Sequence, residues 1–431
     1  MILSVIKNKV VNNKVAKNAG WIIAGRVANM ICSFVVSLLV ARYLGPSNFG
    51  LINYATAYTT FFASLCTLGI NSVIVKEFVD YPDKEGESIG TSLLLRAISS
   101  LLSIFLIIVV SSILDHGERI TILVVALCSF GLFFQIFDTF NYWYQAHLIS
   151  KYSAIASSVA YVVMSAYKIY LLVTGKSVIW FAIATSVDYI VIAIILVYFY
   201  KKNNGPKLRV SRTRAKSILS KSCHFILAGL MVSIYGATDR LMLKHMLDES
   251  AVGYYSLAVS LCNIWVFVLS AIIDSLTPVI LENAKSNKEK YVKLNKQLYS
   301  IVFYVSFFVS ICFIIFGKIA IRILYGEAYL PATGPLYVIT WYVAFSYLGV
   351  ARNPWIVTEN MEKYLVFIYL GAAVSNVILN AALIPSFGTI GAAIASLVTQ
   401  ISTIVVFPLF IKGMRPNVKL MVDAILLRDI R

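Results

Sequence analysis

Apolar stretches of about 20 residues or more, separated by short polar or glycine-containing joints, run along the whole chain. At about 1.5 Å per residue, each is long enough as a helix to cross a hydrocarbon core of about 30 Å. The pattern predicts about twelve spanning helices, over 18–43, 48–76, 88–113, 119–143, 153–174, 177–200, 222–246, 251–281, 298–324, 331–358, 363–384 and 388–411. The joints between the first and second helix of each pair are short throughout, so no folded domain is expected on that side of the membrane.

The pattern is also written twice. Asn141-Tyr142-Trp143, with Lys151-Tyr152 beginning eight residues after Trp143, returns as Asn353-Pro354-Trp355 with Lys363-Tyr364 at the same spacing. Earlier in each half, Leu44, Ser47, Gly50 and Ala55 return as Leu247, Ser250, Gly253 and Ala258. The earlier match has a register of 203 residues and the later one of 212, so the second copy has gained about nine residues in between. Six helices per copy is an even number, so both copies enter the membrane from the same face and form parallel repeats. The expected fold is an all-α integral membrane protein of about twelve transmembrane helices in two parallel six-helix lobes. Its expected parts are an N-terminal lobe (1–200), a basic linker (201–222), a C-terminal lobe (223–411) and a basic tail (412–431).

Composition agrees and excludes a string of soluble domains: 59% of the 431 residues are hydrophobic and 13% charged, with a mean hydropathy of +0.82. A net charge of +17 raises nucleic acid as a partner. The basic residues, however, gather in alternate loops: Lys201 to Lys221, Lys285 to Lys296, and Lys412 to Arg431. With both termini cytoplasmic, that is the positive-inside distribution of a membrane protein, and no nucleic-acid partner is expected. The first 19 residues carry four lysines and no compact apolar core with a cleavage site, so no removable signal is expected. Cys32, Cys66, Cys128, Cys223, Cys262 and Cys312 fall inside predicted spans without paired spacing and read as small core residues. No metal-ligand spacing, phosphate-cradling loop or nucleophile motif is visible, so no catalytic residue, metal or cofactor is expected.

Ionisable side chains inside the predicted spans are the informative minority, since one at the bilayer centre costs at least about 2.5 kcal/mol. Arg26, Arg96, Asp138, Asp274 and Arg352 lie about two turns in from the basic end, and Lys168, Asp188, Asp239 and Arg240 lie nearer the middle or the opposite side. Arg26, Arg96 and Arg352, at one depth on three helices, are expected to line a hydrated vestibule, and Arg240 to join them in holding an anionic group. The planar guanidinium suits the paired oxygens of a phosphate. Asp138, Asp188, Asp239 and Asp274 are candidates for ion coupling or for structural ion pairs. Lys168 reads equally well as a snorkelling or paired residue, so Arg26 and Arg352, at a shared depth and without counterparts across the repeat, rank above it as functional residues. Asp239 and Arg240 project about 100° apart on one helix and are expected to seek different partners. Aromatics at segment ends, such as Tyr142, Trp143, Tyr144, Tyr254 and Tyr255, are expected in interfacial belts. Pro278, Pro354 and Pro408 are expected at kinks.

The run Ala41-Arg42-Tyr43-Leu44-Gly45-Pro46-Ser47-Asn48-Phe49-Gly50, with Leu68-Gly69-Ile70 and Lys76-Glu77 after it, resembles the bacterial polysaccharide flippases of the Wzx type. So does Thr238 to Leu243 with Val252-Gly253-Tyr254-Tyr255-Ser256. These proteins belong to the multidrug/oligosaccharidyl-lipid/polysaccharide superfamily, and the resemblance spans about Ala16 to Ile411. It implies a flippase of the bacterial cytoplasmic (inner) membrane that carries undecaprenyl-diphosphate-linked oligosaccharide, for O-antigen, lipopolysaccharide or a similar surface polymer, to the outer leaflet. Membrane lipid, and the polymerase and chain-length proteins of the same pathway, are the other implied partners. A drug/cation antiporter on the same fold is the alternative, and a membrane polysaccharide polymerase ranks below it because the outer loops are short.

Overall fold

The computed structural model describes residues 13–428, with side chains from residue 32 onward except those at 228 and 285. The Arg26 side chain lies outside that range. Among the described residues the secondary structure is helical, and ten helices are long and apolar enough to cross a membrane. In chain order the first half contains α1 (Asn13–Thr67), α2 (Ile74–Asp80), α3 (Glu85–Leu114), α4 (Arg119–Phe134), α5 (Thr139–Ala146), α6 (Lys151–Val173) and α7 (Val178–Lys202). The second contains α8 (Arg212–Met246), α9 (Glu249–Asn263), α10 (Val266–Ser286), α11 (Lys288–Leu324), α12 (Thr333–Ala351), α13 (Asn353–Thr358), α14 (Leu365–Ile401), α15 (Phe407–Leu409) and α16 (Arg415–Ile425).

Two of these helices are folded back on themselves. In α1 the backbone leaves helical geometry at Gly45, with φ 70°, and Pro46 follows as a helix starter. Ser33 and Thr56, on either side of that point, line the same cavity. A straight helix would hold them about 35 Å apart, so the two legs run side by side. In α14 the break is at Gly388, with φ 57°, and a Cβ at Gly391 would collide with the carbonyl of Leu383. The ten spanning stretches thus contain two hairpins, at the joints predicted between 43 and 48 and between 384 and 388.

The repeat is visible in the backbone. Helices α3 and α11 begin at Glu85 and Lys288, in the 203 register, but α11 runs for 37 residues against 30 for α3. Most of the inserted residues are therefore one longer helix. Beyond it the 212 register holds: Leu148 and Asn360, at equivalent positions, have φ values of 57° and 55°. Lys151 and Lys363 each lie about 5 Å from the ring of the following tyrosine, at 5.0 and 5.1 Å.

Helices α1, α3, α4, α6 and α7 pack with one another, as do α8, α9, α11, α12 and α14, and the halves meet where α1 lies against α8 and α9. The outer surface carries large exposed apolar side chains such as Phe105, Phe308 and Phe367, which suits contact with lipid. Three helices of the second half start on side-chain caps: Ser211, Asp248 and Asn287 accept from the backbone N–H groups of Arg214, Ala251 and Lys290.

At the end remote from the linker, α1 and α9 touch backbone to backbone. A Cβ at Gly50 would collide with the carbonyl of Glu249 and lie 2.8 Å from the nitrogen of Gly253. A Cβ at Gly253 would collide with the carbonyl of Pro46. In the 203 register Gly50 corresponds to Gly253 and Pro46 to Glu249, so the contact is reciprocal. The pseudo-two-fold axis of the repeat therefore passes between these two glycines. Tyr329 donates to the Ala41 carbonyl (2.7 Å) at the same end.

The linker end is held differently. Glu77 of α2, 2% exposed, accepts from Arg214 (3.1 Å) and from Lys221, both of α8. The Arg214 guanidinium also lies 4.2 Å from the Tyr81 ring. The linker itself runs along the start of α3, where Arg209 N donates to Gly86 O (3.0 Å) and Ser211 N to Thr91 Oγ1 (3.0 Å).

Several local expectations are corrected. Trp143, Tyr144 and Tyr255 are 4%, 0% and 5% exposed and do not form interfacial belts. Their polar atoms have protein partners: Trp143 donates to Glu85 (3.0 Å), Tyr144 to Leu196 O (2.7 Å) and Tyr255 to Asp239. Cys66, Cys128 and Cys262 are buried as expected, whereas Cys32 and Cys223 are exposed. Pro278 lies within continuous α10, while Pro354 and Pro408 open the short helices α13 and α15. The tail contains an amphipathic helix, α16, fastened to α11 by Asn417 donating to Tyr299 (2.7 Å) and Ser300 donating to Ala424 O (2.8 Å).

Gly50→Val and Gly253→Val are each expected to destabilise the closed arrangement of α1 on α9 by about 1–3 kcal/mol. Spin labels at His116 and Glu327 report it: either substitution should lengthen the mean distance, and an unchanged distance would show that the glycine contact does not set the closure.

Candidate functional site

Two cavities adjoin in the middle of the molecule, and both are lined by Asn53 and Ser260. The first, of about 330 Å³, lies between the two legs of α1 and helices α6 and α7. The second, of about 280 Å³, is bounded by α8 and α9 with Tyr342 of α12 and Ser396 of α14. Each sits below the glycine contact, between elements from both halves.

Asp239 and Arg240 both line the second cavity and do take different partners. One carboxylate oxygen of Asp239 accepts from Asn376 (3.2 Å) and Asn380 (2.7 Å), both on α14. The other accepts from Tyr255 of α9 (2.5 Å) and from Ser396. Four donors to one charge, each worth about 1.5–3 kcal/mol, offset much of the cost of burying it. Arg240 has no such set: its Nη2 donates to Gly236 O on its own helix (3.3 Å), and it makes no salt bridge among the described residues. The second cavity therefore presents a cation, while its carboxylate is taken up by the protein.

In the first cavity Lys168 of α6 and Asp188 of α7 both reach the wall, joined there by Tyr161, whose hydroxyl is buried without a protein partner. The arginines nearer the linker end, set apart from these residues by depth along the sequence, have different surroundings. Arg96 is 2% exposed and donates to Gln135 O (2.9 Å) and Thr139 Oγ1 (3.1 Å), where the chain tightens into a 3₁₀ turn over Gln135–Asp138. Asp138, in the same turn, accepts from Asn141 (3.1 Å). Arg352, also 2% exposed, donates to Thr403 O (3.3 Å), within the π-helical segment Ser402–Val406.

Irregular turns inside a membrane leave carbonyls short of donors, and a guanidinium with five N–H groups can supply them. Arg96 and Arg352, each expected in a shared arginine-lined vestibule, brace helix irregularities inside their own halves, and the Nε of each is buried without a partner among the described residues. Asp274 lines a separate groove of about 230 Å³ with Val350 and Asn353. Among the described residues no group of three or more His, Cys, Asp or Glu side chains could hold a metal ion.

A polar network at the remote end escaped the sequence reading. Tyr54 of α1, fully buried, bridges Asp115 (2.8 and 3.0 Å) and His245 of α8 (2.9 Å), and Tyr58 stands 3.0 Å from the Tyr54 hydroxyl. Beside it Lys244 of α8 pairs with Glu118 (2.8 Å) in the first half and Glu249 (2.9 Å) in the second. Asp115, Glu118 and His245 sit at or next to helix ends, where sequence alone reads them as ordinary interfacial charges. Burial pushes the Asp115 carboxyl above the usual aspartate value, and hydrogen bonds from Lys244 hold Glu118 below the usual glutamate value.

The described architecture, ten long apolar helices enclosing two adjoining cavities, is that of a multi-pass membrane protein. Over residues 15–284 the chain matches the family described as polysaccharide biosynthesis protein, and it belongs to that family. It is 21% identical to the capsular polysaccharide biosynthesis protein CapF of Staphylococcus aureus over 410 residues, 92% of this chain and 99% of that one. Among solved structures it is similar to the lipid II flippase MurJ in an inward closed conformation, with a TM-score of 0.71 and 14% identity over 94% of this chain and 90% of that one. It is also similar to an inward-facing multidrug resistance MATE transporter of the MOP superfamily, with a TM-score of 0.65 and 16% identity, covering 91% and 96%. The chain thus has the fold shared by MurJ and the MATE transporters.

The two remote-end carboxyls act on closure with opposite sign. The contribution of Glu118 is fully present above the ordinary glutamate value of about 4.3 and is lost as pH falls through its depressed value. That of Asp115 is fully present below the ordinary aspartate value of about 3.9 and is lost as pH rises through its raised value. Acidification below about 4.3 should therefore release the Lys244 bridge and lengthen the distance between the labels at His116 and Glu327. Glu118→Gln should remove that acid step; a step of equal size in the variant would show that the bridge plays no part in closing.

Proposed function

We propose that the chain is a flippase of the bacterial cytoplasmic membrane, moving undecaprenyl-diphosphate-linked oligosaccharide from the inner to the outer leaflet by alternating access. The observation that carries this reading is Arg240, a cation in the second cavity whose one protein acceptor among the described residues is a carbonyl of its own helix. A diphosphate supplies the acceptors a guanidinium lacks there. Family membership and the similarity to CapF and to the lipid II flippase support a polysaccharide precursor as cargo. The served polymer, whether O-antigen, lipopolysaccharide or capsule, is a matter of the sugars carried, and the pathway's polymerase and chain-length proteins are the natural recipients. The polymer is joined elsewhere; this chain carries and does not catalyse.

In this reading the lobes 1–200 and 223–411 rock about the glycine contact, joined by linker 201–222, with the linker, tail 412–431 and both termini cytoplasmic by the positive-inside distribution. The lipid tail stays in the bilayer and the head group passes through the cavities. An anion moving outward across an inside-negative membrane is favoured by about 2.3 kcal/mol per charge per 100 mV. Where an ion is coupled as well, Asp239 is the best placed of the four candidate aspartates, because its ligands come from α9 and both legs of α14 and a proton or sodium ion there would reorganise all of them. Asp188 faces the substrate; Asp138 and Asp274 lie outside the two central cavities.

In a strain lacking this chain and shown to have no second flippase, single repeat units should accumulate on the inner leaflet and surface polymer should be lost. A plasmid copy should restore both. Arg240→Gln is expected to reduce export about tenfold or more at matched membrane abundance, from the loss of about 1.5–3 kcal/mol of charge-assisted bonding, with Arg240→Lys recovering part of it. Arg352→Ala is expected instead to lower the amount of folded protein, reversing the order that depth alone suggests. Wild-type export by Arg240→Gln would remove the head-group assignment.

A further inference from the structure

Three polar groups in the first cavity have no hydrogen-bond or salt-bridge partner among the described residues. Lys168 and Asp188 line its wall from neighbouring helices, yet no salt bridge joins them among the described residues. The Tyr161 hydroxyl is buried and unsatisfied. Groups of this kind are expensive within a membrane protein unless a ligand or water engages them. The donor and acceptor inventory is also mixed: an ammonium with three donors, a carboxylate that only accepts, and a hydroxyl that does both. Around them stand the hydroxyl and amide side chains Ser165, Thr185 and Asn53.

We propose that this first cavity is a carbohydrate subsite, in which Asp188, Lys168 and Tyr161 hold the sugar next to the diphosphate, and that it selects an uncharged sugar. The inference rests on the head-group reading of Arg240. The two cavities share Asn53 and Ser260 in their walls, so the first sugar of a head group anchored at Arg240 falls next to the space between α6, α7 and α1. The volume of about 330 Å³ falls within the range of small-ligand sites, about 300–1,000 Å³. Asp188 accepts from sugar hydroxyls, Lys168 donates to a hydroxyl or amide oxygen, and the pair together adds no net charge. A sugar acid placed there gains from Lys168 but is repelled by Asp188, whereas a neutral sugar uses both. The cavity halves thus divide the work, with charge recognised on the Arg240 side and hydroxyl geometry on the other.

The test uses the full chain in lipid nanodiscs and three probes: a polyprenyl diphosphate without sugar, the same lipid with one neutral hexose, and the same lipid with one hexuronic acid. Wild type should bind the neutral-sugar lipid about tenfold or more tighter than the bare lipid, and tighter than the acidic one. In Asp188→Asn and Lys168→Gln the ratio of neutral-sugar to bare-lipid affinity should fall toward one, and Asp188→Asn should also narrow the gap between neutral and acidic sugars. Tyr161→Phe, which keeps the ring and removes only the hydroxyl, should lower the first ratio about two- to fivefold even where a charge-removing variant fails to fold. Equal binding of bare and neutral-sugar lipid by wild type, or an unchanged ratio in Tyr161→Phe and Asp188→Asn, would overturn the subsite. Failure of all three lipids to bind would overturn the head-group reading and the subsite with it.

Discussion

The arrangement depends on two backbones touching at the repeat axis. Apolar side chains give little drive for helices to associate in lipid, because the tails around them are as apolar as they are, so close packing and polar contacts must do it. Gly50 and Gly253 supply the first: neither carries a Cβ, and each lies against the chain that precedes the other. The turn at Gly45 delivers the second leg of α1 to this point, and the Asp248 cap starts α9 beside it. With α1 and α9 pinned at the remote end, the space beneath them is enclosed by α6 and α7 on one side and by α8, α12 and α14 on the other. The polar network of Tyr54, Asp115, His245, Lys244 and Glu118 fastens the same end.

Much of this frame was legible in the sequence. Hydrophobic runs located the spanning stretches, and short glycine-containing joints separated them at both hairpins. The two registers also located an insertion that proves to lie mainly in the longer α11. These features were readable because they depend on local pattern and on spacing along the chain. The direction a side chain faces was not. Arg96 and Arg352 share a depth with one another, and depth is all that linear spacing reports. Their real partners are carbonyls at a 3₁₀ turn and a π-helical segment, irregularities that no periodicity announces. Trp143 and Tyr255 likewise sit near helix ends yet point inward, because carboxylates at Glu85 and Asp239 are there to receive their donors.

Electrostatics breaks the symmetry that packing keeps. Glycines, the repeated tryptophan and the lysine–tyrosine pairs recur in both halves, whereas the charged residues facing the cavities do not match across the repeat. Lys168 and Asp188 stand on one side, and a cation beside a saturated carboxylate stands on the other. The two cavities therefore offer unlike surroundings in like halves.

The reciprocal glycine contact has an ancestral meaning. A half-length chain that dimerised with its own copy would have met itself at this residue, so one change in its gene would have altered both sides of the contact at once. Fusing the two copies into one reading frame ends that coupling. Each half can then mutate alone while the axis stays fixed, and an asymmetric, charge-divided passage becomes reachable in single steps that a homodimer does not have.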